Sequence, residues 1–175
     1  MKTKTTIASP LGKINMNNEL GTQDVRILKL LQQDASLTTQ EISERLNMSQ
    51  SPCWRKINKM EQDSFVEKRV AILNREKLGM DVVVFSTINL STQGREYLED
   101  FEAEVKLLPE VLECYTMAGS WDYMLKIVAK NIRHYEIFVR EKLTTLPHIG
   151  EVHSHIAVTE IKNSTELPLS TQFSR

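Results

Sequence analysis

Residues 37–60 run LTTQEISERLNMSQSPCWRKINKM, a stretch that carries two helix starts close together. Thr38 with Glu41 three residues on has the spacing of a capping box, and Leu37 with Ile42 that of a hydrophobic staple. Two independent signals therefore start a helix here. That short helix carries Ile42 and Leu46 inward. Asn47 tolerates the left-handed conformation that ends a helix, and Ser49 is placed to cap the next. The following helix is expected from about Gln50 to Gln62, with Cys53, Ile57 and Met60 buried. Pro52 falls in its first turn, where no intrahelical donor is lost. Upstream, a helical pattern from Thr22 puts Ile27, Leu28 and Leu31 on one stripe, and Gln32-Gln33-Asp34 closes it. Three helices with a turn of only a few residues between the last two make a helix-turn-helix unit over residues 20–64.

The chemistry of this stretch points to double-stranded DNA. Between Arg45 and Met60 there are four basic residues, Arg45, Arg55, Lys56 and Lys59, and no acidic one. Arg pairs bidentately with guanine edges and Gln or Asn with adenine, while Ser, Lys and a helix N-terminus hold phosphates. The expected DNA-binding residues are Thr38, Ser49, Gln50, Ser51, Trp54, Arg55, Lys56, Asn58 and Lys59. A basic face alone is as readily a solvated one. The capped helix that precedes it at this spacing favours DNA. Trp54 reads equally as half-buried packing.

Composition at first argues the other way. The chain has 175 residues, 22 basic and 23 acidic, for a net charge of -1, whereas a DNA-binding domain usually advertises a basic surface. Divided at residue 70, however, the first part has 11 basic and 8 acidic residues (+3) and the second 11 and 15 (-4). Apolar residues at 41% and charged residues at 26% exclude a wholly disordered chain, and no run approaches a membrane span. Residues 1–16 lack the apolar core of a signal peptide, so a cytoplasmic protein is expected. Cys53 and Cys114 read as small buried thiols in a reducing compartment. Residues 1–19, with Lys2, Lys4 and Lys13, read as a flexible tail or as a basic arm for phosphates.

Beyond the third helix, residues 65–73 read as extended, a short strand or linker within a connecting segment over 65–80. The second half then switches period repeatedly. Val82 to Leu90 reads as a strand, and Tyr97, Leu98, Phe101, Val105 and Leu108 as a helix ending at Pro109. Val111 to Ala118 and Tyr123 to Ala129 read as strands. Asn131 caps a helix carrying Tyr135, Phe138, Val139 and Leu143, and Val152, Ser154, Ile156 and Val158 mark a last strand. The order over 81–162 is β-α-β-β-α-β, a ferredoxin-like unit in an α+β chain, followed by a tail over 163–175. Two helices cover one face of such a sheet, and the other needs a partner, which symmetric dimerisation supplies.

Gly119-Ser120-Trp121-Asp122 breaks the strand pattern. Gly permits close backbone approach, free amides hold a carboxylate and Asp122 takes an ammonium group, which together suit an amino acid. A plain hairpin turn in which Asp122 satisfies backbone is the alternative. His153 and His155 face the same side of a strand, but no Cys or acidic pair lies near them in sequence, and no metal site is expected. No phosphate loop, nucleophile elbow or Cys-His pairing is present, so no enzyme is expected.

Taken together, several blocks resemble the Lrp/AsnC (leucine-responsive, or feast/famine) transcription regulators. They are Asp24 to Leu28 with Gln33-Asp34, Leu46 to Lys56, Val70 to Leu73, Lys77-Leu78-Gly79, Leu108 to Val111, Gly119 to Tyr123, Lys142-Leu143 and Glu160 to Leu169. The resemblance implies a winged helix-turn-helix joined to an amino-acid-sensing RAM domain. It further implies dimers formed through the sheet, assembly into octamers or similar discs, and an effector held between dimers near Gly119, Ser120, Trp121 and Asp122, with Thr159 as a neighbour. The chain departs from the family at Gly21 and at Ser120, where Asp is common, so effector preference does not transfer. Pro52-Cys53-Trp54 is similar to a branch that includes sulfur-amino-acid responders. Two further function classes are compatible with the same pattern: a nucleoid-structuring protein indifferent to effectors, and an amino-acid-sensing subunit that does not bind DNA.

Overall fold

In the computed structural model, residues 20–92 and 94–170 are described. Thr38 Oγ1 accepts from the Glu41 amide (3.2 Å) while the Glu41 carboxylate accepts from the Thr38 amide (2.7 Å), so the capping box is formed. It starts α2 (Thr39–Arg45), with α1 (Thr22–Gln33) before it and α3 (Gln50–Gln62) after it. Leu37 and Ile42 are buried together with Ile27, Leu28, Leu31, Cys53, Ile57 and Met60 in one core. Asn47 takes φ 50°, the left-handed conformation its position requires. Ser49 precedes α3 with extended backbone, but its hydroxyl makes no cap bond, contrary to expectation. The first turn of α3 already contains Pro52, which has no amide hydrogen for a cap to satisfy.

Residues 65–73 form no strand. Phe65 and Val66 donate their amides to Met60 O at the end of α3 (2.9 and 3.4 Å), and beyond them Val70, Ile72 and Leu73 are 62–75% exposed, with no strand alongside among the described residues.

The second unit is a four-stranded antiparallel sheet in the order β2-β3-β1-β4, from β1 (Val82–Leu90), β2 (Val111–Thr116), β3 (Tyr123–Ala129) and β4 (Ile149–Ile156). Helices α4 (Arg95–Val105) and α5 (Ile132–Glu141) complete the βαββαβ order, so the ferredoxin-like arrangement is present. Asn131 caps α5 as expected, its Oδ1 accepting from the His134 amide (2.8 Å). Alternation along β1 sends Val84, Ser86 and Ile88 to the helices, where Phe101, Val105, Tyr135, Phe138 and Leu143 complete the core. Ser86, fully buried, is satisfied by Tyr135 OH at 2.9 Å. The opposite face takes Phe85, Thr87, Met124, Lys126, Tyr115 and His153, with Phe85 and Tyr115 exposed. Glu113 there accepts from Lys126 Nζ and Tyr115 OH, both at 2.9 Å.

Cys53 is buried, but Cys114 is exposed on β2, which among the described residues has a neighbouring strand on one side only. Its sulfur is nonetheless sheltered: burial, with the Glu102 carboxylate nearby, pushes the thiol up to about 11.

Residues 20–71 and 164–170 make one unit and 72–163 the other. The stretch expected as a tail from 163 thus belongs in part to the helical unit. The expected tail or arm over 1–19 lies outside the described residues.

Candidate DNA-reading helix and effector turn

An α-helix advances roughly 100° per residue, so burying Cys53, Ile57 and Met60 on one side of α3 turns Ser51, Trp54, Arg55 and Asn58 to the other. Trp54 is 56% exposed, so part of its ring packs on the unit while the rest faces outward. Gln50, Ser51, Arg55 and Lys59 are exposed, and Asn58 is half-exposed. Among the described residues neither Arg55 nor Lys59 has an acidic partner. Lys56 stands apart. It lies roughly 60° from the buried stripe, and its Nζ is 2.7 Å from Asp24 Oδ1 on α1. Asp24 Oδ2 meanwhile accepts from the Gly21 amide (2.9 Å), so this carboxylate joins the start of α1 to the middle of α3. Thr38 and Ser49 are exposed, Thr38 with its hydroxyl already committed to Glu41. The Thr38 amide and hydroxyl hold the Glu41 carboxyl below its ordinary value.

At the turn between β2 and β3, Gly119 adopts φ 145°, which side-chain-bearing residues rarely tolerate. Asp122 is woven into the end of β1: its amide donates to Ile88 O and to Asn89 Oδ1, both at 3.0 Å, and its Oδ2 accepts from the Leu90 amide at 2.8 Å. Met117 N closes the turn on Asp122 O (2.8 Å). Asp122 therefore satisfies backbone, as the hairpin reading expects, but the backbone of β1 and not its own. The amides of Gly119, Ser120 and Trp121 have no hydrogen-bond partner among the described residues. Trp121 packs on His153, ring centroids 4.5 Å apart.

Thr159 is not brought to this turn within one chain. It follows β4, whose Ile156 pairs with Val84 near the start of β1, whereas Asp122 sits at Ile88 to Leu90. Six strand residues separate the two levels, about 20 Å. Three residues next to the turn escape sequence reasoning: Asn89, His153 as a ring partner, and Gly150. A Cβ at Gly150 would lie 2.9 Å from Ser91 N and 3.0 Å from Asn89 O, so β1 and β4 approach there as only glycine allows. An isolated glycine inside a strand pattern was the available signal for this.

Comparison with known proteins matches residues 20–67 to a winged helix-turn-helix DNA-binding domain and residues 83–167 to the Lrp/AsnC ligand binding domain. The chain belongs to the Lrp/AsnC family of transcriptional regulators. It is 36% identical over 154 residues to the glutamate uptake regulatory protein of Zymomonas mobilis, covering 88% of this chain and 93% of that one. The DNA-binding transcriptional activator DecR of Escherichia coli K12 is 32% identical over 83% of this chain and 96% of its own. Among solved structures, a transcriptional regulator of Neisseria meningitidis in complex with L-Met superposes with a TM-score of 0.83 at 31% identity, covering 87% of this chain and 99% of that one. This Lrp/AsnC protein is thus a DNA-binding transcriptional regulator with a ligand-binding domain. Among its described residues no helix is long and apolar enough to cross a membrane.

Proposed function

We propose that the protein is a cytoplasmic, sequence-specific regulator that reads a pseudo-palindromic DNA site with paired α3 helices and is switched by an amino acid at the Gly119–Asp122 turn. The observation that carries the DNA half is the exposed face of Ser51, Trp54, Arg55, Asn58 and Lys59, whose two cations lack acidic partners among the described residues. Arg55 and Asn58 read base edges, Trp54 supplies apolar contact, and Gln50, Ser51 and Lys59 hold the backbone. Lys56 serves the fold first, through Asp24.

The effector half is supported by three consecutive amides and an Asp122 Oδ1 that have no hydrogen-bond partner among the described residues, the amides suited to a carboxylate and the Oδ1 to an ammonium group. The L-Met complex of the Neisseria regulator supports the amino-acid class. Thr159 is assigned to the site only as a contribution from another protomer, because one chain keeps it away from the turn. Dimers form through the open sheet face that carries Phe85 and Tyr115, and dimers assemble further into octamers or similar discs. The reading requires no cofactor and no catalytic residue.

A thermal-shift screen of the twenty amino acids, with and without the protein's own upstream DNA, tests this reading. One amino acid is expected to raise the melting temperature and to change DNA affinity. DNA binding that is indifferent to sequence and to all twenty would favour a nucleoid-structuring role, and no DNA binding a sensing subunit.

A further inference from the structure

Leu167-Pro168-Leu169 is used neither by the DNA-reading face nor by the effector turn, yet it is held in place. Gln32, in the last turn of α1, donates from Nε2 to Leu167 O and accepts at Oε1 from Leu167 N, both at 3.0 Å. One side-chain amide thus satisfies both backbone groups of one residue, as a neighbouring strand would. Leu169 N then donates back to Leu167 O at 2.8 Å, closing a three-residue turn on Pro168, whose ring restricts φ in advance. The turn sets Leu169 against the core of the helical unit, while Leu167 stays 67% exposed. Leu167 is therefore held by its backbone, and Leu169 by its side chain.

A second tether reaches the same corner. Ala35 O, three residues after Gln32, accepts from Arg69 Nη1 (3.3 Å), and Arg69 Nη2 meets Glu61 Oε1 of α3 (2.8 Å). The chain passes between its two units at 71–72 and at 163–164. Both exits of the helical unit are accordingly fastened near the C-terminal end of α1, one by Arg69 and one by Leu167.

We propose that residues 164–169 are a coupling strap. Docked through Gln32, they hold α1, and through the shared core α3, in the arrangement that reads DNA; undocking them weakens reading. Two exposed hydrogen bonds and one half-buried leucine place the strap among elements that open locally while the core stays folded. The affinity consequence rests on the DNA-reading role of α3, so the test includes a readout that needs no DNA.

Amide hydrogen exchange on the full chain follows Leu167 and Leu169, and fluorescence anisotropy follows binding to the protein's own upstream DNA. Both are repeated for Gln32→Ala and for a chain ending at Asn163. The Leu167 amide is expected to be protected in the unaltered protein and to exchange freely in Gln32→Ala. DNA affinity is expected to fall roughly 5-fold or more in both variants, with an unchanged salt slope because no phosphate contact is lost. Rapid exchange of Leu167 in the unaltered protein, or full affinity in the shortened chain, would overturn the proposal. Protection of Leu167 in a protein that binds no DNA would confirm the docking and reject its effect on reading, along with the role of α3.

Discussion

Lys56 and Lys59 stand three positions apart on α3 and meet different surroundings. Lys56 is bonded to Asp24, and Lys59 has no acidic partner among the described residues. Lys56→Met is expected to cost at most about 1 kcal/mol of stability, since the lysine is partly solvated, and to leave the salt slope of DNA binding unchanged. Chemical denaturation paired with a salt titration checks both. Arg55→Ala is expected to weaken specific binding by roughly 1–3 kcal/mol and to relax selectivity at one base position, measured against a panel of single-base variants. In the sensor unit, Glu110 gives a pH signature. Burial alone would raise its carboxyl, but the hydrogen bond and charge of Lys142, 2.5 Å away, prevail and the carboxyl is lowered. A depressed carboxylate contributes stability above its unfolded value and loses it as pH falls through the folded one. Lys142→Met is therefore expected to destabilise the protein near pH 7, with the difference from the unaltered chain vanishing well below pH 4.5. Acid unfolding followed by circular dichroism reads this directly.

At the scale of elements, what could be read in advance depended on local chemistry. The capping box at Thr38, the left-handed Asn47 and the Asn131 cap are decided by residues three or four positions apart, and all three are formed. The β-α-β-β-α-β order followed from periodicity for the same reason. Features set by distant neighbours were not legible. Residues 65–73 have strand composition but no adjacent strand among the described residues, Cys114 is apolar enough for a core but lies on an edge, and Asp122 bonds a strand more than thirty residues upstream. Gly150 belongs to this class. It lies beside the irregular pairing of Asn89 and Leu90, the latter donating to Asp122. Gly150→Ala would press a methyl group onto backbone atoms that cannot swing aside. The expected cost is about 1–3 kcal/mol, with a matching loss of effector response because the Leu90 to Asp122 bond shares that backbone. Thermal melting and an effector titration on one preparation check the pairing of the two losses.

For the molecule as a whole, the net charge of -1 is the sum of two differently charged parts, and the part that meets DNA is the basic one. An assembly multiplies that part without making the chain basic, and this is measurable. Each phosphate neutralised contributes about 0.9 to the slope of log affinity against log salt. In a protein that binds as a monomer, Lys59→Gln removes one such contact and lowers the slope by about 1. In a dimer placing two α3 helices on one site, the same substitution removes two contacts and lowers it by about 2. The open sheet face supplies the complementary variant. Phe85→Lys puts a charge on the apolar surface proposed to join two protomers, and Phe85 already faces Lys126 across the β1–β3 pair, so two such faces would meet like charge to like. The variant is expected to sediment as a monomer. In that background Lys59→Gln should lower the slope by only about 1. A decrement of about 1 in the unaltered sheet background would mean that one reading helix engages at a time, and the paired-helix arrangement would have to be abandoned.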